Sequence, residues 1–281
     1  MSFPPTPRRA SLAVPLGLPD IEAEPYGARS VAGVAVGDLL MRYVPALARG
    51  ELEIVAIARR PNLLTKVAVR RHAGARLDRR PISLVLGIGA DYVRRVRSEI
   101  GGEPVHIVQW HGDPARYISD ALGAGYVPPM NLLDASRRAE VLLGEIDYRG
   151  IPGPKALNLL LAGALTGWHI RLKRIATSPA WRTLDAARAT GRSVPAEVTA
   201  RVPKGLALTV YGLHALLPTG RIRGIRRGTP ANEVDTVLRE HLGKTLQVGV
   251  LRLDADAGHI FVSERVPAGR QLSLPIFEQG S

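Results

Sequence analysis

The fold of this chain is decided by two stretches that share one frame, Gly87-Ile-Gly-Ala-Asp-Tyr-Val-Arg-Arg-Val-Arg-Ser-Glu-Ile-Gly101 and Gly153-Pro-Lys-Ala-Leu-Asn-Leu-Leu-Leu-Ala-Gly-Ala-Leu-Thr-Gly167. Each runs from Gly through two residues to Ala, continues as a helical pattern and closes on Gly. A strand-like segment follows each stretch, Val105–Trp110 and Trp168–Leu172. A small-residue turn that opens a helix leaves backbone N–H groups free to meet phosphate oxygens. The repeat therefore predicts two turns that contact the phosphates of a nucleic acid.

Composition supports a polyanionic partner. The chain has 281 residues, and 38 Lys and Arg against 25 Asp and Glu give a formal net charge of +13. An excess of this size favours nucleic acid or an anionic surface. Most of the basic residues are Arg, which makes planar, bidentate phosphate contacts and stacks on bases. Aromatic residues make up only 5% of the chain, which limits the number of bases that can be stacked.

Several classes of function are disfavoured by what the sequence lacks. The chain has no Cys, so disulfides, thiolate metal sites and a Cys nucleophile are excluded, and a reducing cytoplasm is expected. No apolar run approaches the ~20 residues of a membrane span, so we expect no membrane partner. The seven His lack ligand spacing, and no nucleophile elbow, Walker loop or dinucleotide fingerprint is found. We predict a non-enzymatic protein with no catalytic residue, metal, cofactor or small-molecule substrate.

Hydrophobic periodicity predicts the elements of the first half of the chain. A flexible Pro-rich arm is expected before a short helix, Val36–Tyr43, that Pro45 stops. Asp113-Pro114 is a good helix start, because Asp caps the helix and Pro is favoured at its first position. The other predicted elements are strands Leu52–Ala58, Thr65–Arg70 and Val105–Trp110, a helix from Asp91 and a helix ending at Leu122.

The second half begins after the boundary at Pro128-Pro129 and changes character near Val198. Five strand-like pieces in about 70 residues fit a small barrel of the OB type. The predicted elements are a strand Glu140–Leu143, helices Glu145–Ile151 and Trp181–Thr190, and strands Val198–Val202, Leu206–Tyr211, Gly212–Leu217, Thr245–Leu253 and Ile260–Glu264. Gly191 and Pro195 are expected to close the connector, and Asp254, Asp256 and Gly258 form a hairpin turn.

An ordered series of segments resembles the KH domains of the NusA family of transcription elongation factors. Glu53-Ile-Val-Ala-Ile-Ala-Arg-Arg-Pro61, Thr65–Val69, Glu99–Trp110 and Asp113–Leu122 are similar to the first KH domain of that family. Leu161-Ala-Gly-Ala-Leu-Thr-Gly-Trp168 is similar to the end of the second. The resemblance runs from about Gly37 to Arg174 and implies type II KH folds.

In that family a Gly-x-x-Gly loop grips about four nucleotides of single-stranded RNA between two helices. The resemblance places the equivalent loops at Gly87-Ile88-Gly89-Ala90 and Gly153-Pro154-Lys155-Ala156. Both loops replace the last Gly by Ala, and we expect each Ala to open its helix at negative φ. We expect a Cβ at these positions to hinder close phosphate approach, more so in the first loop, which has no basic residue.

The C-terminal part resembles the S-one-type RNA-binding barrel, through Gly212–Pro218, Leu242–Val248 and Asp254–Arg265. That family stacks bases on aromatic residues of its second strand, where this chain has Leu206-Ala207-Leu208. Tyr211 and His214 are the nearest substitutes. NusA proteins place the barrel before the KH pair, whereas here it comes last.

The predicted fold class is α+β: two tandem type II KH domains, each an α/β sandwich, plus a C-terminal five-stranded OB-fold β-barrel. The expected domains are an arm at 1–35, KH-like domains at 36–128 and 129–175, a connector at 176–196, the barrel at 197–267 and a tail at 268–281.

Candidate RNA-binding residues come from the two loops and from clusters of basic residues. A solvated face is the alternative interpretation of any one cluster. One loop of the barrel carries four Arg. We expect this loop to be flexible and to clamp a strand of RNA. The candidates are Arg59, Arg60, Lys66, Gly87, Ile88, Gly89, Ala90, Arg94, Arg95, Gly153, Pro154, Lys155, Ala156, Lys204, Tyr211, His214, Arg221, Arg223, Arg226 and Arg227.

We predict a cytoplasmic protein that binds single-stranded RNA, with RNA polymerase or the ribosome as the protein partner. The resemblance implies a role in transcription elongation, termination or antitermination. One alternative is a ribosome-associated or ribosome-assembly protein that uses the same folds, and a weaker one is an RNA-processing enzyme.

Overall fold

The computed structural model describes residues 22–25, 31–72, 91–151, 153 and 156–265. The chain forms two compact units, one made of Met1–Val141 with Arg149–Arg171 and the other of Leu142–Tyr148 with Leu172–Ser281. None of the described helices has the length and apolar character needed to span a bilayer.

Helices and strands are interspersed as far as Arg174, and strands dominate beyond it. The helices are α1 (Val31–Tyr43), α2 (Pro45–Ala48), α3 (Asp91–Glu99), α4 (Pro114–Leu122), α5 (Glu145–Gly150), α6 (Leu157–Thr166), α7 (Pro179–Thr190) and α8 (Ala231–His241). The strands are β1 (Glu22–Pro25), β2 (Leu52–Arg60), β3 (Leu64–Arg71), β4 (Val105–Gln109), β5 (Met130–Leu133), β6 (Arg138–Leu143), β7 (His169–Arg174), β8 (Ser193–Val202), β9 (Gly205–Val210), β10 (Leu213–Pro218), β11 (Thr245–Asp254) and β12 (His259–Ser263).

The first sheet has the strand order β1-β2-β3-β4. Strands β2 and β3 form an antiparallel hairpin, and β4 lies parallel to β3. One apolar cluster joins the sheet to α1 and α3 and includes Leu40, Val67, Val69 and Val96. The helix from Asp91 is confirmed, and its Val96 is fully buried as the periodicity predicts.

The start of the chain differs from the sequence prediction in two places. Within the expected flexible arm, β1 pairs with β2 and α1 already begins at Val31. Pro45 does end α1, but it also begins α2. Proline suits the first position of a helix, because its missing N–H has no intrahelical partner there.

After α4 the elements of the second KH repeat follow in the order β5-β6-α5-α6-β7, and its sheet has the order β5-β6-β7. Strand β5 was missing from the predicted elements, since its four residues are too few to show a period. Helix α6 packs against α4 and against strands β2 and β3 of the first sheet. Ala58 and Ala68, both fully buried, lie on those strands.

The C-terminal strands form a closed barrel in the order β10-β12-β11-β8-β9. Its core contains Leu206, Leu208, Val248 and Ile260. The predicted five strands are confirmed. Strand β8 begins earlier than expected, so Pro195 does not close the connector but pairs with Gln247 inside the sheet. Together with the KH repeats, this barrel establishes the predicted α+β fold class.

Candidate nucleic-acid interface

The second predicted loop lies between two helices, as a KH loop should. Helix α5 ends at Gly150 and α6 begins at Leu157, so Gly153 and Ala156 are in the connection. The Ala156 N–H donates to Gly153 O at 3.2 Å. Pro154 and Lys155 lie outside the described residues.

The backbone of Ala156 corrects one expectation. Ala156 does not open α6 at negative φ but is left-handed, with φ 58° and ψ 21°. This conformation costs a non-glycine residue about 1–2 kcal/mol. The loop therefore keeps the backbone shape that glycine serves best, although the side chain has changed.

Helix α6 begins without a side-chain cap. Asp113 accepts from Ala115 N at the start of α4, and Ser178 accepts from Trp181 N at the start of α7. The N-cap of α6 is Ala156, which has no side-chain acceptor. The first N–H groups of a helix have no intrahelical partner and carry a partial positive charge. The start of α6 is therefore suited to an anion.

Asn158 fixes the loop to its surroundings, and sequence reasoning did not identify it. Its amide nitrogen donates to Leu122 O at 2.9 Å and to Ile151 O at 2.5 Å. Leu122 is the last residue of α4, so the side chain links the loop to the end of that helix. The sequence gives only a weak signal for this role, namely an Asn in a Leu-rich segment near a loop. The role itself depends on carbonyl groups that belong to other segments of the chain.

Lys66 is not part of an exposed basic surface. It is 2% exposed, and its Nζ donates to Ala121 O at 2.7 Å. Burial lowers the pKa of Lys66 to about 8. This contradicts the predicted RNA contact, because the ammonium group stabilises the carboxyl end of α4 instead.

The guanidinium group of Arg59 is also engaged within the protein. Its guanidinium contacts the buried carboxylate of Glu103 at 2.9 and 3.0 Å. Burial alone raises the pKa of Glu103, but hydrogen bonds from Arg59 and Thr65 outweigh it and hold that pKa below its ordinary value. The Asn62 N–H donates to the same carboxylate at 2.8 Å. Arg59 therefore stabilises the β2–β3 turn, while the neighbouring Arg60 is half-buried.

Arg94 and Arg95 lie exposed on α3, as the helical pattern predicts. The Arg94 guanidinium also contacts the Asp91 carboxylate one turn earlier. The first predicted loop, Gly87–Ala90, lies outside the described residues.

The predicted barrel residues form two groups at opposite ends of β9 and β10. Lys204 precedes β9 and its carbonyl accepts from Thr219 N, so it lies beside the segment that follows β10 and carries Arg221. Tyr211 is 48% exposed on the turn at the other end of the two strands. A strand of this length spans roughly 17 Å, so the two groups do not form one site. His214 lies exposed near the Tyr211 end.

The arginine-bearing loop is anchored rather than free. Ile222 and Ile225 are buried in the barrel core. Arg265 donates to Ile222 O at 3.1 Å and also to Ile225 O. Four arginines alternate with these anchors and are exposed: Arg221, Arg223, Arg226 and Arg227. The loop is therefore anchored to the barrel, which corrects the prediction of a flexible loop. Helix α8 follows this loop and was not predicted from the sequence.

No group of three or more His, Cys, Asp or Glu that could hold a metal ion occurs within the described part of the chain. The side chains at the candidate surfaces are instead Arg, Lys, Asn and Tyr.

These features define the class of the protein: tandem KH domains joined to an OB-fold barrel. Comparison with known sequences agrees. Residues 34–110 match the family model of the NusA-like first KH domain. The resemblance to the KH domains of the NusA family, predicted from the segments of this chain, is confirmed.

Three relatives cover the KH region. The transcription termination/antitermination protein NusA of Mycobacterium tuberculosis is 34% identical over 137 residues, which is 48% of this chain and 39% of that protein. NusA of Thermus thermophilus is 32% identical over 166 residues, 59% of this chain and 41% of that protein. NusA of Bacillus subtilis is 27% identical over 130 residues, 46% of this chain and 34% of that protein. The chain thus spans less than half the length of these curated relatives.

Proposed function

We propose that this protein binds single-stranded RNA without catalysing a reaction, and that it acts in the cytoplasm in transcription elongation, termination or antitermination. The names of the relatives support the process, since each is a transcription termination/antitermination protein. RNA polymerase is the protein partner that this process implies.

The observation that carries the proposal is the loop before α6. It joins a left-handed backbone at Gly153 and Ala156 to a helix start with no side-chain cap. A phosphate placed there receives N–H donors and the favourable end of the helix dipole. Lys155, inside the same loop, adds a positive charge to the site.

Exposed arginines form further candidate surfaces in each unit. Arg94 and Arg95 belong to the first KH domain, and Arg221, Arg223, Arg226 and Arg227 belong to the barrel. Contacts to several phosphates give affinity, whereas the grooves beside the loops give base preference. We propose the same role for Lys204, Tyr211 and His214 of the barrel and for the loop Gly87–Ala90.

The test is binding of a fluorescent single-stranded RNA to Lys155→Glu/Ala156→Asp, which places two carboxylates in the second loop. We expect weaker RNA binding with unchanged thermal unfolding. Arg182→Glu/Arg192→Glu is the control, because it alters two exposed arginines on and after α7 that belong to none of these surfaces. Equal affinities for the loop variant and the wild type would reject the loop as an RNA site.

Fractionation of cell extracts tests which protein partner this protein binds. Co-migration with RNA polymerase supports the transcription role, and co-migration with ribosomal subunits would replace it with the ribosomal alternative.

A further inference from the structure

The three-stranded sheet of the second KH domain has one buried face and one exposed face. Ala139 and Val141 of β6 are fully buried, and Ile170 of β7 is 7% exposed. Arg138, His169 and Arg171 alternate with them and are exposed. Side chains alternate between the two faces of a strand, so the exposed residues share one side of the sheet.

Pairing between strands extends this exposed face to β5. Leu133 lies opposite Arg138, and Asn131 lies opposite Glu140. Residues directly opposite each other in an antiparallel pair point to the same face. Leu133 is 46% exposed beside the Arg138 side chain. We call the surface formed by Asn131, Leu133, Arg138, Glu140, His169 and Arg171 the outer face.

The start of β7 lies beside the start of β6, because the His169 N–H donates to Arg137 O at 2.7 Å. His169 is therefore a neighbour of Arg138 across the sheet. Arg137 precedes β6, and its guanidinium stacks on the Trp168 ring, 5.4 Å from the ring centroid.

The outer face has more basic than acidic side chains. Arg138 and Arg171 make no ion pair with any described residue of the chain. Glu140 is the carboxylate nearest along β6, and it is half-buried with interactions of its own. The outer face therefore combines two guanidinium groups and one carboxylate with an exposed leucine and two polar side chains.

We propose that the outer face is a second RNA-binding surface, which holds the strand beyond the nucleotides gripped by the loop before α6. This inference rests on the proposed function. Arg138 and Arg171 contact phosphates, Leu133 packs against a base or ribose, and Asn131 and His169 offer hydrogen bonds. An RNA strand fits this mixture, because it presents phosphates and apolar base surfaces along the same length.

The path between the two surfaces is short. Helix α6 has ten residues and is about 15 Å long, with the loop at its start and β7 just after its end. An RNA strand bound at the loop needs only a few further nucleotides to reach β7. RNA longer than the roughly four nucleotides held by a KH loop can contact both.

The experiment compares RNA binding by the wild type, Arg138→Glu/Arg171→Glu and the control Arg182→Glu/Arg192→Glu, which has the same change in charge. A single-stranded RNA of about 25 nucleotides is titrated at several salt concentrations, and each phosphate contact contributes about −0.7 to the slope of log affinity against log salt. We expect Arg138→Glu/Arg171→Glu to bind at least about tenfold more weakly and to flatten that slope by about 1.4, the value for two lost contacts. Arg138→Lys/Arg171→Lys keeps the charges and should retain most of the slope.

The outcomes separate this inference from the proposed function. Absence of RNA binding by the wild type would reject both. Wild-type binding with equal slopes for Arg138→Glu/Arg171→Glu and the control would reject the outer face alone. If the Glu variant unfolds, Arg138→Gln/Arg171→Gln is measured in its place with the same criteria. Tight binding of a poly-glutamate peptide that the variant abolishes, with RNA binding intact, would overturn RNA in favour of an acidic protein.

Discussion

The residue that departs most from expectation is Ala156. It is one of four non-glycine residues at positive φ within the described part of the chain, with Asn62, Arg137 and Tyr211. It lies in the connection between α5 and α6, where its N–H donates to Gly153 O. The sequence could not reveal this left-handed conformation, because Ala is also favourable in the first turn of a helix.

Ala156→Gly should therefore stabilise the protein by about 1 kcal/mol, because it removes the penalty for a Cβ in the left-handed region. The same substitution at Ala164, inside α6, should destabilise it by about 0.5–1 kcal/mol, because glycine is poor in helix interiors. Urea unfolding measures both. Destabilisation by both variants would contradict the left-handed assignment of Ala156.

Lys66 makes stability depend on pH. Its pKa is lowered to about 8 in the folded protein from an ordinary value of 10.5. Between these values the unfolded chain binds a proton that the folded chain has released, so the free energy of unfolding rises with pH. The slope is at most about 1.4 kcal/mol per pH unit.

Urea unfolding of the wild type and Lys66→Met at about pH 7.5 and about pH 9.5 isolates this contribution. We expect the wild type to gain up to about 2 kcal/mol relative to Lys66→Met over that interval. Parallel pH dependence of the two proteins would show that Lys66 titrates at its ordinary pKa.

At the scale of elements, α4 connects the two KH repeats. Lys66 donates to Ala121 O, and Asn158 donates to Leu122 O, so side chains of β3 and α6 both stabilise its last turn. The Tyr117 hydroxyl donates to Leu165 O at 3.1 Å and ties α4 to the far end of α6. The position of the loop before α6 thus depends on the end of α4.

Asn158→Asp should be more destabilising than Asn158→Ala. Alanine removes two hydrogen bonds, each worth about 1 kcal/mol, whereas aspartate places a carboxylate against the carbonyls of Leu122 and Ile151. Thermal unfolding gives the order. An Asp variant as stable as the wild type would show that the Asn158 amide does not donate to these carbonyls.

The start of α5 is held by the hairpin between β11 and β12. The Glu145 N–H donates to Ala255 O and the Ile146 N–H to Asp256 O, both at 3.1 Å. The predicted turn at Asp254 is confirmed, since its side chain accepts from Ala257 N. A Cβ added to Gly144 would lie 2.6 Å from the backbone of this hairpin.

Gly144→Ala should accordingly destabilise the protein by about 1–3 kcal/mol, the usual effect of overpacking. Gly150→Ala, where the added Cβ meets nothing within 4 Å, is the matched control and should be neutral or slightly stabilising. Equal stability of the two variants would contradict the close approach at Gly144.

Much of the fold follows from local pattern. The strand-like runs of β2, β3 and the barrel, the helix of α3 and the cap at Asp113 were all predicted from sequence. The errors have physical causes: β5 is too short to show a period, and the apolar residues of α8 are interrupted by charge. Lys66 could not be separated from exposed lysines, because its burial depends on α4, which lies 55 residues away in sequence at Ala121.

At the scale of the whole molecule, each described unit carries basic surfaces of its own. They are the loop before α6, the arginines of α3, the outer face of β5–β7 and the arginine loop of the barrel. A net charge of +13 makes association with a polyanion favourable over the whole chain. The central claim is that this association is phosphate binding, in which counterions are released.

The most direct test is the affinity of the wild-type protein for a single-stranded RNA of about 25 nucleotides between about 0.05 and 0.5 M salt. We predict that log affinity falls linearly with log salt, with a slope of about −0.7 for every phosphate contacted and several phosphates in contact. No binding at the lowest salt concentration, or binding that salt leaves unchanged, would contradict the account.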